Sequence, residues 1–395
     1  MKLLIYSHYF APGVGGTETI VMSLAAGLVE LRDADGRCQF EVTLATQTPA
    51  GKFYDGALAF RVVRQPRLAA LWRLIRWCDV VSVAGAALPP LLLARLAGKP
   101  AVVEHHTYQA VCPNGLLVHQ PDSSICPGHF QARRYGKCLR CQNCEKPFFH
   151  GVKTLLWMAP RYWLSRNAAK NIAVSRRSCE VAALPRSTVV YHGIADPLGN
   201  DDIAQPARNS SLPISFAYVG RFVPEKGIPA LLHAAGLLVK AGHEFEVRLV
   251  GDGPERAKLE TIIAQEQLEN CVRITGFLTG DALANMLSNI NVVVVPSVWE
   301  ETAGLAAIEQ MMRGRLVIAS DVGGLGEIVG EGGLKFAAGD ANALADCMRA
   351  VLQDRSVIDS YGRRGRQRAL QFFVHDRMIQ EHAIVYREVA LGAKG

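Results

Sequence analysis

Short apolar runs alternate with longer amphipathic stretches along almost the whole chain. In the first half the runs cover residues 3–6, 41–45, 79–83, 101–104, 172–174 and 189–191, and a helix is predicted over 17–31. In the second half they cover 214–219, 246–250, 272–275, 292–295, 317–319 and 333–336, and a helical stretch over 357–391 closes the chain. Such runs, spaced by helices, read as buried parallel strands. At 395 residues the chain is too long for one ordinary core, so two doubly wound α/β domains facing a central cleft are expected. The polar stretch 199–213 (GNDDIAQPARNSSLP) marks the linker, which places the domains at 1–198 and 199–370, followed by a terminal helix over 371–395. A Cys- and Pro-rich segment, about 110–150, interrupts the first domain as an irregular insertion.

Candidate chemistry gathers where strands end. Gly220-Arg-Phe-Val-Pro-Glu-Lys-Gly227 follows the run at 214–219, and Trp299-Glu-Glu-Thr-Ala-Gly-Leu305 follows the run at 292–295. Glu309 lies eight residues beyond Glu301, a little over two helical turns, so both carboxylates can line one face. Ligands bind at the carboxyl ends of strands in open α/β sheets. Arg221 and Lys226 suit a diphosphate, Glu301 and Glu309 suit sugar and ribose hydroxyls, and the amides of Gly304 and Leu305 suit a phosphate oxygen. A diphosphate flanked by two polyols is a nucleotide sugar. The bland readings are solvated cations and a salt-bridged Glu309. Gly251 and Gly253, in Val-Gly-Asp-Gly-Pro, read either as backbone packed on a ligand or as a plain turn. Gly323-Gly324 is expected to shape the cleft floor. Near the N-terminus, Gly13, Gly15 and Gly16 lead into the first helix, where a helix N-terminus favours phosphate. Glu18 stands where a dinucleotide fingerprint needs its third glycine, which argues against an oxidoreductase loop.

Charge changes the picture of partners. The net charge of +7 divides unevenly: residues 1–195 hold 23 Lys and Arg against 11 Asp and Glu, and residues 196–395 hold 20 against 25. A first domain at +12 suits an anionic membrane surface, or is simply a solvated face. No basic helix interleaved with aromatics points to nucleic acid. The apolar stretch 80–94 is too short to span a membrane, so a cytoplasmic protein, peripheral at most at the inner membrane face, is expected. Residues 152–163 (VKTLLWMAPRYW) suit either a membrane interface or a core-facing helix, with Pro160 against a long helix.

In a reducing compartment ten cysteines point to metal rather than disulfides. Cys112, Cys126, Cys138 and Cys141, with Cys144 as substitute, are candidate ligands for a structural zinc; unligated thiols or an iron–sulfur cluster are the alternatives.

These motifs together resemble the family 4 retaining glycosyltransferases of the GT-B class, within the glycosyl transferases of group 1. The likeness covers nearly the whole chain and is strongest in Gly-Arg-x4-Lys-Gly, Gly-Asp-Gly-Pro, Glu-x7-Glu and Gly-Gly-x-x-Glu. It implies a UDP- or GDP-sugar donor on the second domain, held by Arg221, Lys226, Glu301, Glu309, Gly304 and Leu305. It implies an acceptor, a glycan or lipid-linked saccharide, near Gly15, Gly16 and His106 of the first. It also implies same-face attack, retention of configuration and no catalytic metal. His106 takes the family's His position, although His105 competes for it. Thr107 replaces the usual Asp, His192-Gly193-Ile-Ala195 replaces Asn-Gly-x-Asp, and Ala303 replaces an aromatic. An epimerase, a phosphorylase needing phosphate or pyridoxal, and a non-catalytic docking module are the rival readings.

Overall fold

The computed structural model describes residues 1–13, 15–119, 124–142, 148–199 and 213–392. The chain divides into two compact units, unit 1 (Met1–Ala195 with Val374–Gly395) and unit 2 (Asp196–Phe373).

In unit 1 the elements are β1 (Lys2–Ser7), α1 (Gly16–Glu30), β2 (Glu41–Thr46), β3 (Arg61–Arg64), α2 (Leu68–Trp77), β4 (Val80–Ala84), α3 (Leu88–Leu96) and β5 (Ala101–His105). They continue through β6 (Val118–His119), β7 (Ser124–Ile125), α4 (Tyr135–Gln142), α5 (Phe148–Arg166), β8 (Lys170–Ala173), α6 (Arg176–Ala182) and β9 (Ser187–Val189). Seven parallel strands are ordered β3-β2-β1-β4-β5-β8-β9, and β6 pairs with β7 as a separate antiparallel hairpin. The central strands are buried throughout, as a sheet covered on both faces requires. The apolar stretch 80–94 divides between strand β4 and helix α3. Strand β9 begins two residues earlier than its apolar run, and β3 was not expected at all. Its four residues RVVR carry two arginines, and an edge strand needs no continuous apolar run.

Unit 2 contains β10 (Ile214–Val219), α7 (Ile228–Lys240), β11 (Phe245–Val250), α8 (Arg256–Gln265), β12 (Val272–Gly276), α9 (Gly280–Ser288) and β13 (Val292–Val295). It ends with α10 (Leu305–Met312), β14 (Leu316–Ser320), α11 (Gly323–Val329), β15 (Leu334–Phe336), α12 (Ala341–Gln353) and α13 (Ser356–Phe372). Its six parallel strands run β12-β11-β10-β13-β14-β15. The chain winds outward from β10 to β12 and then returns to β13. The order therefore reverses between β10 and β13, which is where such sheets bind ligands.

The terminal helical stretch breaks at Phe373-Val374, and its last part, α14 (His375–Gly392), belongs to unit 1. There Gly27 of α1 lies so close to α14 that a Cβ would stand 2.6 Å from Ile379 Cγ1. His375 donates its amide to Ile194 O at 2.9 Å, and Tyr386 shares a 2.9 Å hydrogen bond with Ser82 of β4. Adding residues 374–395, which carry three charges of each sign, leaves unit 1 at +12.

Gly27→Val should wedge α14 away from α1 and cost about 2 kcal/mol. The expected readout is a lower thermal midpoint and faster proteolysis within 375–392; an unchanged midpoint would contradict this packing.

Candidate active site

The unit 2 residues singled out from the sequence gather around the β10/β13 switch point. Gly220 and Arg221 leave the end of β10, and a single 3-10 turn, Pro224–Lys226, carries Lys226. Gly227 then adopts φ 64°, and a Cβ there would lie 2.1 Å from Pro296 O. Only a glycine lets the Lys226 turn press against the chain leaving β13. Arg221 is exposed, and its guanidinium makes no ion pair among the described residues. Its carbonyl accepts a 2.8 Å hydrogen bond from the buried Tyr218 hydroxyl, which fixes the turn.

Glu301 is buried at 7% exposure, and Lys226 Nζ donates to its Oε1 at 2.8 Å. The same ammonium lies 5.7 Å from the centre of the Trp299 ring. Burial alone would raise the Glu301 carboxyl. The Lys226 charge, with polar hydrogens from Lys226, Ser297 and Trp299, outweighs burial and holds it below the usual range. Ser297 and Trp299 face the carboxylate without closing regular hydrogen bonds, and Glu301 Oε2 has no partner. The backbone of Glu301 is itself clamped. Gly324 N donates to Glu301 O at 2.6 Å, and a Cβ on Gly323 (φ 56°) would stand 2.3 Å from that oxygen. The Gly323-Gly324 turn thus buttresses Glu301, a more specific task than shaping a floor.

Gly304 (φ 113°) is the N-cap of α10, which Leu305 opens and on which Glu309 sits, part-buried. Burial pushes the Glu309 carboxyl up, against Arg313, which pulls it down. No ion pair forms on Glu309 among the described residues, so the salt-bridged alternative is not what the structure shows. For Gly251 and Gly253 the structure supplies a packing reason. Their Cβ atoms would stand 1.8 Å from Gly220 O and 2.4 Å from Phe222 O. Both glycines serve the approach of β11's end to the Arg221 turn, and no ligand is needed to explain them.

In unit 1, Gly15 caps α1 and Gly16 opens it. Glu18 folds back over the loop, and a Cβ on Gly15 would meet its Oε2 at 2.4 Å. A phosphate at this helix N-terminus would face that carboxylate, which weighs against the phosphate reading of the glycine loop.

The two neighbouring histidines separate cleanly. His105 Nε2 bonds Asn171 Oδ1 of β8 at 2.8 Å, a packing role. His106 Nδ1 bonds His192 Nε2 at 3.1 Å, and the rings stack. Its Nε2 lies 3.6 Å from Glu104 Oε1, which also lies 3.4 Å from His382 Nε2 on α14. All four side chains are buried. Glu104, His106 and His192 carry ligand atoms within 4.8 Å of one another. His106 and His192 share a hydrogen bond, and Glu104 stands at ion-pair distance from His106 and His382. Burial lowers His105 to about 4 and His192 to about 3, and it lowers His106 as well. Burial also opposes charge on Glu104 and His382, but the attraction of His106 and then of His382 outweighs it for Glu104, and that of Glu104 outweighs it for His382. Glu104 is thereby held low and His382 high. Sequence reasoning missed Glu104 and His382. Glu104 ends an apolar run, and His382 lies 278 residues later in sequence on a helix that looked merely terminal.

Cys112, Cys126, Cys138 and Cys141 line one small cavity of unit 1, whereas Cys144 lies outside the described residues. Burial, then the nearby Cys112, Cys126 and Cys141, pushes the Cys138 thiol up to about 12.

A match to the family described as "Glycosyl transferases group 1" covers residues 201–368. The 2-deoxystreptamine glucosyltransferase of Streptomyces kanamyceticus is 33% identical over 306 residues, 73% of this chain and 71% of that protein. The chain belongs to the glycosyl transferases group 1 family. This glycosyltransferase is also 27% identical to the alpha-maltose-1-phosphate synthase of Mycobacterium tuberculosis over 424 residues, 98% of this chain and all of that protein. Among solved structures, Anabaena Alr3699/HepE in complex with UDP and glucose matches with a TM-score of 0.72 at 19% identity, covering 98% of this chain and 99% of that one. Sucrose-phosphate synthase from Thermosynechococcus elongatus matches with a TM-score of 0.70 at 20% identity, covering 99% of each chain. These likenesses show the α/β GT-B fold.

Histidines with lowered pKa take up protons on unfolding, so the glycosyltransferase should lose stability as pH falls through about 6.5 toward 4. His382, raised, contributes fully below about 6.5, and Glu104, lowered, contributes above about 4.5, so neither reverses the trend. The thermal midpoint should fall by about 5 °C or more from pH 7 to pH 5. His192→Asn should flatten that slope, and a flat wild-type profile would contradict it.

Proposed function

We propose that the chain is a retaining glycosyltransferase that moves a hexose from a UDP- or GDP-sugar to a hydroxyl of a glycan or lipid-linked saccharide. The observation that carries this reading is the Glu301–Lys226 pair. One carboxylate oxygen is neutralised at 2.8 Å, and the other is buried and closes no hydrogen bond of regular geometry, at the same strand ends that carry the exposed Arg221. A buried orphan carboxylate oxygen is costly unless a donor arrives, and a sugar hydroxyl is such a donor.

In this reading Arg221 and Lys226 take the diphosphate, and the Leu305 amide at the start of α10 donates to a phosphate oxygen. Glu309 accepts from the ribose hydroxyls, on the helix that Leu305 opens. His106 contacts a sugar hydroxyl, with Glu104 and His192 orienting its ring. Gly15 and Gly16 border the acceptor, where Glu18 accepts from a hydroxyl more readily than it tolerates a phosphate. The bond from the anomeric carbon to the diphosphate oxygen breaks, and its electron pair leaves with the phosphate. The acceptor oxygen bonds to the same face, and its proton passes to the leaving phosphate. Two side-chain cations carry the countercharge, so the step calls for no metal. The glucosyltransferase relative and the complex of HepE with UDP and glucose support a hexose and a uridine donor.

A peripheral membrane setting is part of the proposal. Along α5, Phe149, Leu156, Trp157 and Trp163 are exposed, at 82%, 71%, 51% and 53%, while Met158 and Leu164 are buried. Pro160 lies inside the helix without ending it. An exposed aromatic stripe with Lys153 and Arg166, on a unit of charge +12, suits the interface of an anionic bilayer. Among the described residues no helix is long and apolar enough to cross a membrane.

In calorimetry with UDP, GDP and ADP, one diphosphate should bind selectively. Arg221→Ala and Glu309→Ala should each weaken it about 10- to 100-fold, as loss of a charged hydrogen bond predicts. Glu301→Gln should keep nucleotide affinity and lose turnover. Variants that bind and turn over like wild type would overturn the assignment. Vesicles containing phosphatidylglycerol should sediment the protein at low salt, and Trp157→Ala with Trp163→Ala should release it. No sedimentation of wild type would remove the membrane part alone.

A further inference from the structure

Four cysteines of unit 1 stand outside the chemistry of transfer. Cys112, Cys126, Cys138 and Cys141 converge on one cavity from three separate pieces of chain. Cys112 ends the turn that follows β5, its amide donating to Tyr108 O at 2.8 Å. Cys126 follows the two-residue strand β7, with its amide bonded to Leu117 O at 2.6 Å. Cys138 and Cys141 lie a turn apart on α4 and face the same space. Three of the four are buried and Cys126 is half-buried.

The segment between β5 and α5 enters the unit 1 core through Tyr108, Val111 and Leu117, and the part around α4 has a small cluster of its own. Its described regular elements are two strands of two residues each and the eight-residue α4. The small apolar cluster beneath α4 holds Phe130, Cys138 and Met158 as its buried members. The part around α4, with so small a cluster, suits a staple. Four soft sulfur donors, one pair in Cys-x2-Cys spacing on a helix, match in type and number what a tetrahedral zinc site requires.

We propose that Cys112, Cys126, Cys138 and Cys141 bind one structural zinc ion that fixes the segment between β5 and α5. On binding, four S–H protons pass to solvent and four S–Zn bonds form, with no change of oxidation state. The tetrathiolate centre carries two negative charges, and Lys137 in the cavity wall supplies a countercharge. Asn114 is placed as the outer partner. Its side-chain amide donates to Cys141 Sγ at 3.5 Å, a bond that a thiolate strengthens; its side-chain oxygen accepts from the Cys112 thiol at 2.9 Å, a bond given up when Cys112 loses its proton to bind the metal. Because Cys112 lies six residues beyond His106, the ion also braces the turn that presents that histidine.

The test uses the full chain purified without chelator. Elemental analysis should find about one zinc per chain, with about four thiols shielded from a thiol reagent until the metal is displaced. Cys126→Ser and Cys138→Ser should each lose the zinc and lower the thermal midpoint, while Cys347→Ser, away from the cavity, should keep both. Cobalt(II)-loaded protein should show the intense sulfur-to-metal bands of a tetrahedral tetrathiolate, lost in Cys126→Ser. A wild type that is isolated without metal and takes up none under reducing conditions would overturn the proposal. So would zinc retained in both variants, or the absorption and iron of an iron–sulfur cluster in anaerobically purified protein. A cobalt spectrum of three thiolates and an imidazole, from His119 or His129 in the same cavity, would overturn the four-sulfur assignment. If the serine variants do not fold, the metal content and thiol accessibility of wild type still decide.

Discussion

A carboxylate withdrawn from water stays ionised only beside a cation, and Glu301 has Lys226 at 2.8 Å. The surrounding geometry of unit 2 follows from keeping these two groups together. Lys226 sits on a turn after β10 and Glu301 on the chain after β13, 75 residues later, and adjacency of the two strands brings them into contact. The Gly227 approach to Pro296 narrows the gap from one side. The Gly323-Gly324 turn holds the Glu301 backbone from the other. A pair that is half satisfied and tightly held is costly to keep, and such cost concentrates where a ligand completes the bonding.

Unit 1 carries a different electrostatic construction. Glu104 and His382 attract each other within a buried group, and burial disfavours the charged form of His106 and His192 beside them. A neutral imidazole can both donate and accept, which suits contact with a hydroxyl better than an imidazolium would. The closing helix α14 is therefore more than a structural strap. Through His382 it takes part in the electrostatics around His106, and its docking depends on the absence of a side chain at Gly27 and Gly193.

Much of this was legible in the sequence because parallel sheets write themselves as apolar runs. The order of runs and helices implied two doubly wound units, and the charged motifs after the runs at 214–219 and 292–295 fell on the strand ends that meet at the switch point. What sequence could not show was which backbone approaches which. Gly251 and Gly253 look like ligand glycines until the Arg221 turn is seen filling the space where their side chains would be. Glu18 was read as a departure from a fingerprint, and its folding back over Gly15 sets a carboxylate at the helix N-terminus, which weighs against a phosphate there. His105 and His106 were indistinguishable as neighbours, since strand alternation sends them to opposite partners, Asn171 and His192. The exposed stripe of α5 also escaped a clear reading, because periodicity marks two apolar faces without saying which is covered.

The measurement that tests the central claim most directly is a crystal structure of the chain with an intact UDP-hexose, collected under conditions where turnover is blocked by omission of acceptor. The account predicts the diphosphate within hydrogen-bond reach of Arg221 and Lys226, about 3 Å, and a hexose hydroxyl donating to Glu301 Oε2. A nucleotide sugar seated away from the β10/β13 switch point, or one that leaves Glu301 Oε2 without a donor, would contradict it.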